Sequence, residues 1–291
     1  MLRRCFIIIE LLMKGKKRRP KMASAIKTIT ICFPDGKNKV LTMSYDDGRQ
    51  EDRRLVELFN RYAIKGTFHL NSGIDWDARL IPTSEYQTLY QGHEIACHGY
   101  THLNLAQAPM EQVVTQVLED RRALEAITGY PVKGMSYPFA AYNESVKSAL
   151  KVLGIKYSRI VSYNSYFNMP EDYYEWKPTC HHEQNLLELA KQFAGIDNKY
   201  HLYMMYVWGH SYEFTDETKW KVIEDFCSYI GNRSDIWYAT NIQIVDYMEA
   251  AKRLEFAADS SFVYNPSIQT VWINASDDVI EIPGGHQVFL K

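Results

Sequence analysis

The sequence Val40-Leu-Thr-Met-Ser-Tyr-Asp-Asp-Gly48 places two adjacent carboxylates at the end of an apolar segment. Residues 40–45 favour a β-strand, and the strand stops at Asp-Asp-Gly, a combination typical of turns. Two neighbouring carboxylates are costly to bury together, because each negative charge disfavours ionisation of the other. A bound cation would remove this conflict. The segment therefore indicates either an ordinary turn or a metal site, and the residues downstream decide between the two.

Residues 27–254 alternate between short apolar runs and amphipathic segments, which predicts a parallel sheet covered by helices. Counting from Val40, seven runs predict strands, at residues 40–45, 67–70, 94–97, 132–137, 156–161, 202–208 and 236–239. A helix pattern, or a long crossover that contains one, follows each run. Because polar side chains cluster where these strands end, we expect an α/β fold that closes into a distorted seven-stranded (β/α) barrel.

The two ends of the chain depart from this alternation. Residues 28–33 and 39–45 are joined by a Pro-Asp-Gly turn, which predicts a β-hairpin. Residues 255–291 contain short β-prone runs without helices, which predicts a small β appendage. We therefore expect three parts: a disordered basic extension at 1–26, the barrel at 27–254, and the appendage at 255–291.

The formal net charge of −2 over 291 residues is unevenly distributed. Residues 1–21 hold eight Lys and Arg and one acidic residue, which leaves 25 basic and 34 acidic residues, a net −9, in the rest. A body this acidic is a poor match for nucleic acid. The apolar run at 5–13 is interrupted by Glu10 and too short for a membrane span, so no stable membrane insertion is expected.

The five scattered cysteines favour reduced thiols and a cytoplasmic location. The alternative is a secreted or membrane-surface protein that is attached through its basic extension. A third possibility, which we favour, is that the extension lies upstream of a working protein that starts at Met22.

Two histidines four residues apart, His98 and His102, follow the predicted strand at 94–97. This spacing brings both imidazoles to one side of a helical turn or a tight loop. Gly99 excludes the His-Glu-x-x-His pattern of zinc proteases. With one carboxylate, the two histidines would leave coordination positions open for water and substrate, which is typical of a catalytic site and not of a structural one.

Four motifs in order resemble those of the polysaccharide deacetylases, the NodB-homology carbohydrate esterases similar to chitooligosaccharide deacetylases. They are Tyr45-Asp46-Asp47-Gly48, His98-x-x-x-His102, Ser136-Tyr137-Pro138-Phe139 and Val207-Trp208-Gly209-His210. The resemblance covers residues 38–250, and four ordered motifs make a chance match improbable. It implies a distorted barrel of βα units, in agreement with the strand count.

The resemblance also implies an activity, the hydrolytic removal of acetyl groups from a carbohydrate, N-acetyl in preference to O-acetyl. It makes Asp46 the general base and His210 the general acid. It makes Asp47, His98 and His102 the ligands of one divalent metal ion, with zinc first and cobalt, nickel or manganese as alternatives. An acetylated carbohydrate is the expected binding partner.

The third motif departs from the family pattern at Ser136, where the family has an Arg that orients the base. We expect another cation to take this place beside Asp46, and Lys177 is the candidate, although Lys is not a bidentate substitute for Arg. His181 and His182 are candidates for further metal ligands, but we expect both to be polar side chains at the protein surface that bind no metal.

Three aromatic residues are candidates for contact with the substrate. In the resemblance, a backbone amide near Phe139 stabilises the oxyanion, and Tyr137 lies beside it. Residues 162–176 are rich in aromatic side chains, which suit sugar rings, and Trp176 is the candidate from this segment. The alternative is that these rings pack over the barrel.

Two other functions remain open. Two histidines and a carboxylate are also the ligand set of non-haem iron enzymes, but such sites call for neither a second Asp nor His210. A deacetylase-like protein that lost turnover with its Arg would keep only carbohydrate or metal binding. The presence of both Asp46 and His210 argues against this second alternative.

Overall fold

The structure is a computed structural model that describes residues 28–163 and 165–290. The predicted basic extension at 1–26 lies outside the described residues. No described helix combines the length and the apolar character needed to cross a membrane. The cysteines in the described part of the chain are free and buried, namely Cys32, Cys97, Cys180 and Cys227.

Strand β2 (Lys39–Asp46) is the centre of a parallel sheet, and all eight of its residues are buried. Strand β8 (Tyr203–His210) pairs with it along its whole length. On the other side, β3 (Gly66–Leu70) pairs with its second half and β9 (Ile236–Tyr238) with its first half. Both edges of β2 are therefore occupied.

The sheet continues from β3 through β4 (Glu94–Cys97) and β5 (Gly134–Ser136) to β6 (Tyr157–Arg159). At the other edge, β8 pairs with β7 (Cys180–His181), a short strand that the sequence pattern did not predict. In the segment that connects β6 to β7, Trp176 forms a single parallel bridge to Arg159 of β6. The seven predicted strands all form, and the sheet curls into the distorted barrel that was expected.

Helices cover the outside of this sheet. They are α1 (Asp52–Arg61), α2 (Tyr86–Leu89), α3 (Met110–Thr128), α4 (Glu144–Val152), α5 (Leu186–Ala194), α6 (Glu217–Ile230) and α7 (Asn241–Lys252). Their ends follow local chemistry. The Asn143 side chain caps α4 by accepting from the Val146 amide, and the Asp216 side chain caps α6. Gly129 ends α3 with a left-handed φ of 73°.

The two faces of β2 differ in chemistry, because successive residues of a strand point to opposite sides. Leu41, Met43 and Tyr45 belong to the main hydrophobic core. Thr42 and Ser44, on the opposite face, make polar contacts: the Thr42 hydroxyl donates to Asn241, and Ser44 lies 3.2 Å from His69 Nδ1. Asp46 shares this polar face, so its carboxylate is directed towards polar groups inside the barrel.

The N-terminal strand β1 (Ile29–Cys32) contradicts the predicted hairpin. It pairs antiparallel with β12 (Val271–Ala275), which in turn pairs with β13 (Asp278–Ile282). The hairpin prediction was wrong because β2 has no free edge for β1. The remaining C-terminal strands form a second small sheet of β10 (Glu255–Phe256), β11 (Phe262–Tyr264) and β14 (Gln287–Phe289).

Candidate active site

The predicted site residues meet at one edge of the sheet, where parallel strands present their carboxyl ends. Asp46 is the last residue of β2, His98 follows β4, and His210 is the last residue of β8. The Cα partners of Asp46 are His69 on β3 and His210 on β8. Chain topology alone therefore brings these groups together.

Asp47, His98 and His102 form a group that could hold a metal ion, with ligand atoms that all lie within 4.8 Å of one another. Asp47 Oδ1 is 3.6 Å from His98 Nε2 and 3.7 Å from His102 Nε2. Ligands on a tetrahedral zinc ion with bonds of about 2.0–2.2 Å are separated by about 3.3–3.6 Å. The donor types and their separations thus fit a single divalent ion.

The hydrogen bonds of His98 prepare its ring as a ligand. Nδ1 lies 3.0 Å from the Ser136 carbonyl oxygen, which can only accept, so we assign the ring proton to Nδ1. The lone pair is then on Nε2, which faces Asp47. Burial lowers the pKa of His98 to about 4, so the ring is neutral at pH 7. A neutral ring held by a carbonyl group is the usual arrangement of a metal-bound histidine.

Three residues of the site have left-handed backbone conformations. The φ angles are 77° at Asp47, 56° at His102 and 56° at Phe139. Such conformations are uncommon for residues other than glycine and concentrate at functional sites, where they aim a side chain or an amide. The flanking Gly48 and Gly99 also have positive φ, so the two ligand-bearing loops turn sharply.

Asp46 is 2% exposed and is surrounded by donors. The Arg159 guanidinium donates to Oδ2, the Ser136 hydroxyl donates to Oδ1 at 3.1 Å, and His69 Nδ1 lies 3.3 Å from Oδ1. Burial alone would raise the pKa of Asp46. The charge of Arg159, with contributions from His98 and His69, instead holds this pKa well below its usual range. Asp46 is therefore ionised at neutral pH.

The cation expected beside Asp46 is present, but it is Arg159 and not Lys177. Lys177 is exposed, whereas Arg159 is 1% exposed and stacks over the Trp208 ring at 4.4 Å. Arg159 lies in the predicted strand at 156–161. An Arg near the end of a predicted strand was therefore the signal in the sequence that could have identified the partner of Asp46. The prediction named Lys177, which follows the aromatic segment, and missed Arg159.

His210 is held by Glu213, three residues later. The Glu213 carboxylate accepts from the His210 amide at 2.7 Å and lies 3.3 Å from Nδ1 of the ring. Burial would lower the pKa of His210, but the Glu213 carboxylate beside Nδ1 and the negative charge of Asp46 raise this pKa above its ordinary value. The sequence analysis did not identify Glu213 as the partner of His210.

His181 and His182 also face Glu213. Nε2 of His181 lies 3.1 Å from the carboxylate, and Nε2 of His182 lies 3.5 Å from it. His182 is buried, and burial lowers its pKa to about 3. The prediction that both residues lie at the protein surface is therefore wrong for His182.

Two of the three aromatic candidates for substrate contact are buried and unavailable. Trp176 is 0% exposed and packs edge-on against Tyr157 and Tyr206. Tyr137 is also buried: its hydroxyl donates to a backbone carbonyl, and its amide is used in the pairing with β6. The predicted substrate contacts of Trp176 and Tyr137 are wrong, because both rings fill the protein interior.

Phe139 is the candidate that remains at the surface. Its side chain is 66% exposed, and its ring contacts His102 edge-on at 4.5 Å. In the turn at Pro138–Ala140, the described backbone hydrogen bonds use the amides of Ala140 and Ala141. The Phe139 amide, beside a candidate metal ligand, is thus available to a bound group.

Comparison with known proteins supports the first three of the four motifs. Residues 33–158 match the family model described as polysaccharide deacetylase. A segment of 124 residues, 42% of this chain, is 26% identical to the peptidoglycan-N-acetylglucosamine deacetylase PgdA of Listeria monocytogenes and covers 26% of that protein. A segment of 144 residues, 48% of the chain, is 24% identical to the peptidoglycan-N-acetylmuramic acid deacetylase PdaC of Bacillus subtilis and covers 29% of it. The matches span less than a third of either relative.

The fold has counterparts among solved structures. A crystal structure of a Mycobacterium smegmatis protein assigned to the polysaccharide deacetylases superposes with a TM-score of 0.57 at 16% identity, covering 76% of this chain and 94% of that one. At this identity the likeness concerns the fold alone, and it confirms the expected barrel. The family match confirms the predicted resemblance to the polysaccharide deacetylases for residues 33–158.

Proposed function

We propose that the protein is a metal-dependent hydrolase that removes N-acetyl groups from an amino-sugar polymer or oligomer. The observation that carries the proposal is the placement of Asp46, ionised and bound by Arg159, directly beside the convergent Asp47, His98 and His102. The names of PgdA and PdaC both specify N-acetylated sugars of peptidoglycan, which favours N-acetyl over O-acetyl substrates here.

Asp47, His98 and His102 would hold the metal ion. When bound, a divalent ion supplies a Lewis acid that lowers the pKa of water and polarises a carbonyl group. The carbonyl of Ser136 fixes the His98 ring so that Nε2 is free to coordinate. Zinc suits two imidazoles and one carboxylate, and cobalt, nickel and manganese remain alternatives.

Asp46 accepts the proton of the attacking water. Arg159 and Ser136 hold its two oxygens, so the carboxylate does not have to reorganise when the reaction begins. The Phe139 amide donates to the oxygen that develops negative charge. His210 donates a proton to the departing amine, and Glu213 keeps the ring protonated for that step.

The two alternative functions fit these contacts less well. Loss of turnover was suggested by Ser136 in place of an Arg, but Arg159 supplies a guanidinium to Asp46. A non-haem iron site has no use for Asp46 held in this way, or for a His210 paired with Glu213. Hydrolysis explains all of these groups together.

The test is metal-dependent release of acetate by the full chain. Protein freed of metal by a chelator is reconstituted with zinc, cobalt, nickel or manganese and incubated with N-acetylglucosamine oligomers, peptidoglycan or O-acetylated xylan. We expect release from the N-acetylated substrates only after a metal is restored. Asp46→Asn is the matched control. Binding of oligomers without any release of acetate would support the binding-only alternative, and release that survives chelation would refute the metal requirement.

A further inference from the structure

His181, His182 and Glu213 form a second group whose ligand atoms all lie within 4.8 Å of one another. His181 ends β7, His182 follows it, and Glu213 lies in the turn after β8. None of these residues belongs to the Asp47, His98 and His102 group. We propose that His181, His182 and Glu213 bind a second divalent cation of the zinc class.

The separations suit such an ion. Glu213 Oε2 is 3.1 Å from His181 Nε2 and 3.5 Å from His182 Nε2. These values are close to the separation of about 3.3–3.6 Å between ligands on a tetrahedral ion with bonds of about 2.0–2.2 Å. Two imidazoles and one carboxylate are donors that zinc, cobalt and nickel accept.

His182 carries the strongest indication of a missing ligand. The side chain is 3% exposed, yet neither ring nitrogen has a hydrogen-bond partner within the described part of the chain. The ring stacks on Phe214 at 4.4 Å and on Tyr45 at 5.7 Å, so its orientation is fixed. A buried polar group without a partner is costly, and a cation at Nε2 would supply one.

Gly209 allows this ring to approach the strand. A Cβ atom at Gly209 would lie 2.0 Å from His182 Nδ1, so any other residue would displace the ring. With Nδ1 against the backbone, Nε2 is the nitrogen that faces Glu213.

Binding has a defined cost at His181. The Glu183 amide donates to His181 Nδ1 at 3.3 Å, and coordination through Nε2 requires the ring proton to move to Nδ1. That long hydrogen bond would be lost, and the exposed amide would turn to water. The ion takes the place of the Nε2 proton that faces Glu213 Oε2, and Oε1 still lies 3.3 Å from His210 Nδ1.

Metal stoichiometry of the full chain tests the proposal, with zinc and cobalt as the probes, measured by elemental analysis after equilibrium dialysis. We expect two equivalents in the wild type, one in Asp47→Asn/His98→Gln, one in His181→Gln, and none when all three changes are combined. His201→Gln, at an exposed histidine outside both groups, is the matched control and should retain two.

Thermal unfolding gives a second readout that does not depend on activity. In the Asp47→Asn/His98→Gln background, zinc should raise the melting temperature, and adding His181→Gln should abolish that rise. His182→Gln should do the same if it folds, and the milder change at His181 keeps the test decisive if it does not. A single equivalent in the wild type that Asp47→Asn/His98→Gln removes would overturn the proposal and leave these residues as a polar cluster around Glu213 that holds no metal.

Discussion

Ser136 and Arg159 are register partners on neighbouring parallel strands, and both side chains donate to the carboxylate of Asp46. The carbonyl oxygen of Ser136 also accepts a hydrogen bond from His98 Nδ1, at 3.0 Å. One pair of cross-strand neighbours thus fixes both the proposed base and one proposed metal ligand. The guanidinium reaches the base from β6, one strand further from β2 than the family's Arg position.

Replacing Arg159 with Met should impair catalysis more than metal binding. Removing one partner of a buried ion pair costs about 3–5 kcal/mol of stability, because the other charge stays buried. Misplacement of the base should lower kcat/KM by about 10²-fold. Metal content should be retained, since Arg159 contacts none of the three ligands in the described contacts. Steady-state kinetics, urea unfolding and metal analysis measure these effects.

Two further variants complete the Arg159 test. Arg61→Met, in an exposed pair with Glu57, should change stability by no more than about 1 kcal/mol and leave the rate unchanged. The exchange Ser136→Arg/Arg159→Ser should recover part of the lost rate, because the two positions are neighbours in register. If Arg159→Met keeps the wild-type rate, the guanidinium does not act on the base.

The sequence predicted the strand ends well because they depend on local patterns. Apolar runs followed by Asp-Asp-Gly or by histidines locate the carboxyl edge of a parallel sheet without knowledge of tertiary contacts. The meeting of these side chains at one edge follows from the local patterns, whereas the choice of Asp47, His98 and His102 as the ligands follows from the resemblance to the polysaccharide deacetylases. The identity of the cation at Asp46 could not be predicted in this way, because it depends on which strand lies beside β5 and in which register.

The failed predictions have a common origin in tertiary competition. The hairpin of β1 was predicted from a Pro-Asp-Gly turn, but the edges of β2 are taken by β3, β9 and β8. Trp176 lies in an aromatic segment whose rings suit either sugar or core, and its pairing with β6 buries it. The pairing of Glu213 with His210 could not be predicted from the sequence, because it depends on the turn at Ser211–Glu213, which brings Glu213 back to His210.

Asp46→Asn and Asp47→Asn should separate the two adjacent carboxylates by role. Asp46→Asn should lower the rate by about 10²–10⁴-fold, the usual contribution of a general base, while metal content stays near that of the wild type. Asp47→Asn should lower metal content itself, because an amide is a poorer ligand than a carboxylate. Elemental analysis beside acetate release distinguishes the two, and equal loss of metal from both variants would refute the assignment.

Glu94 should make stability depend on pH. Burial raises its pKa from 4.5 to about 7, although the carboxylate accepts from Thr67, Tyr157 and the Ile242 amide. Between these values the folded state binds more protons than the unfolded state, so stability falls as pH rises through this window. The shift corresponds to a loss of about 3 kcal/mol that is complete above about pH 7.

Urea unfolding of the wild type and of Glu94→Gln at about pH 5 and about pH 8 measures this contribution. The difference between the two proteins should change by about 2.5 kcal/mol in favour of the variant at the higher pH, because part of the effect lies below pH 5. Glu281→Gln, at an exposed position on β13, should follow the wild type at both pH values. Parallel pH dependence of Glu94→Gln and the wild type would show that Glu94 does not titrate in this range.

His210→Ala should slow amide hydrolysis by about 10²–10⁴-fold, because the departing amine requires a proton. An activated aryl acetate leaves without one, so the same variant should lose much less rate on that substrate. Competition between the two substrates in one reaction gives the ratio of their kcat/KM values directly. An equal loss on both would mean that His210 positions the substrate and does not act as the acid.

Glu213→Gln should move the pH dependence of kcat/KM. Glu213 raises the pKa of His210, and a general acid is active only while it is protonated, so activity falls as pH rises through that pKa. Without the carboxylate the pKa of His210 drops, and the alkaline limb of the profile should shift to lower pH. Glu183→Gln, which removes an exposed carboxylate paired with Lys219, should leave the limb in place. A Glu213→Gln enzyme that is slower at every pH but keeps the wild-type limb would indicate that Glu213 only shapes the turn, because a purely structural role lowers the rate without moving the ionisation of His210.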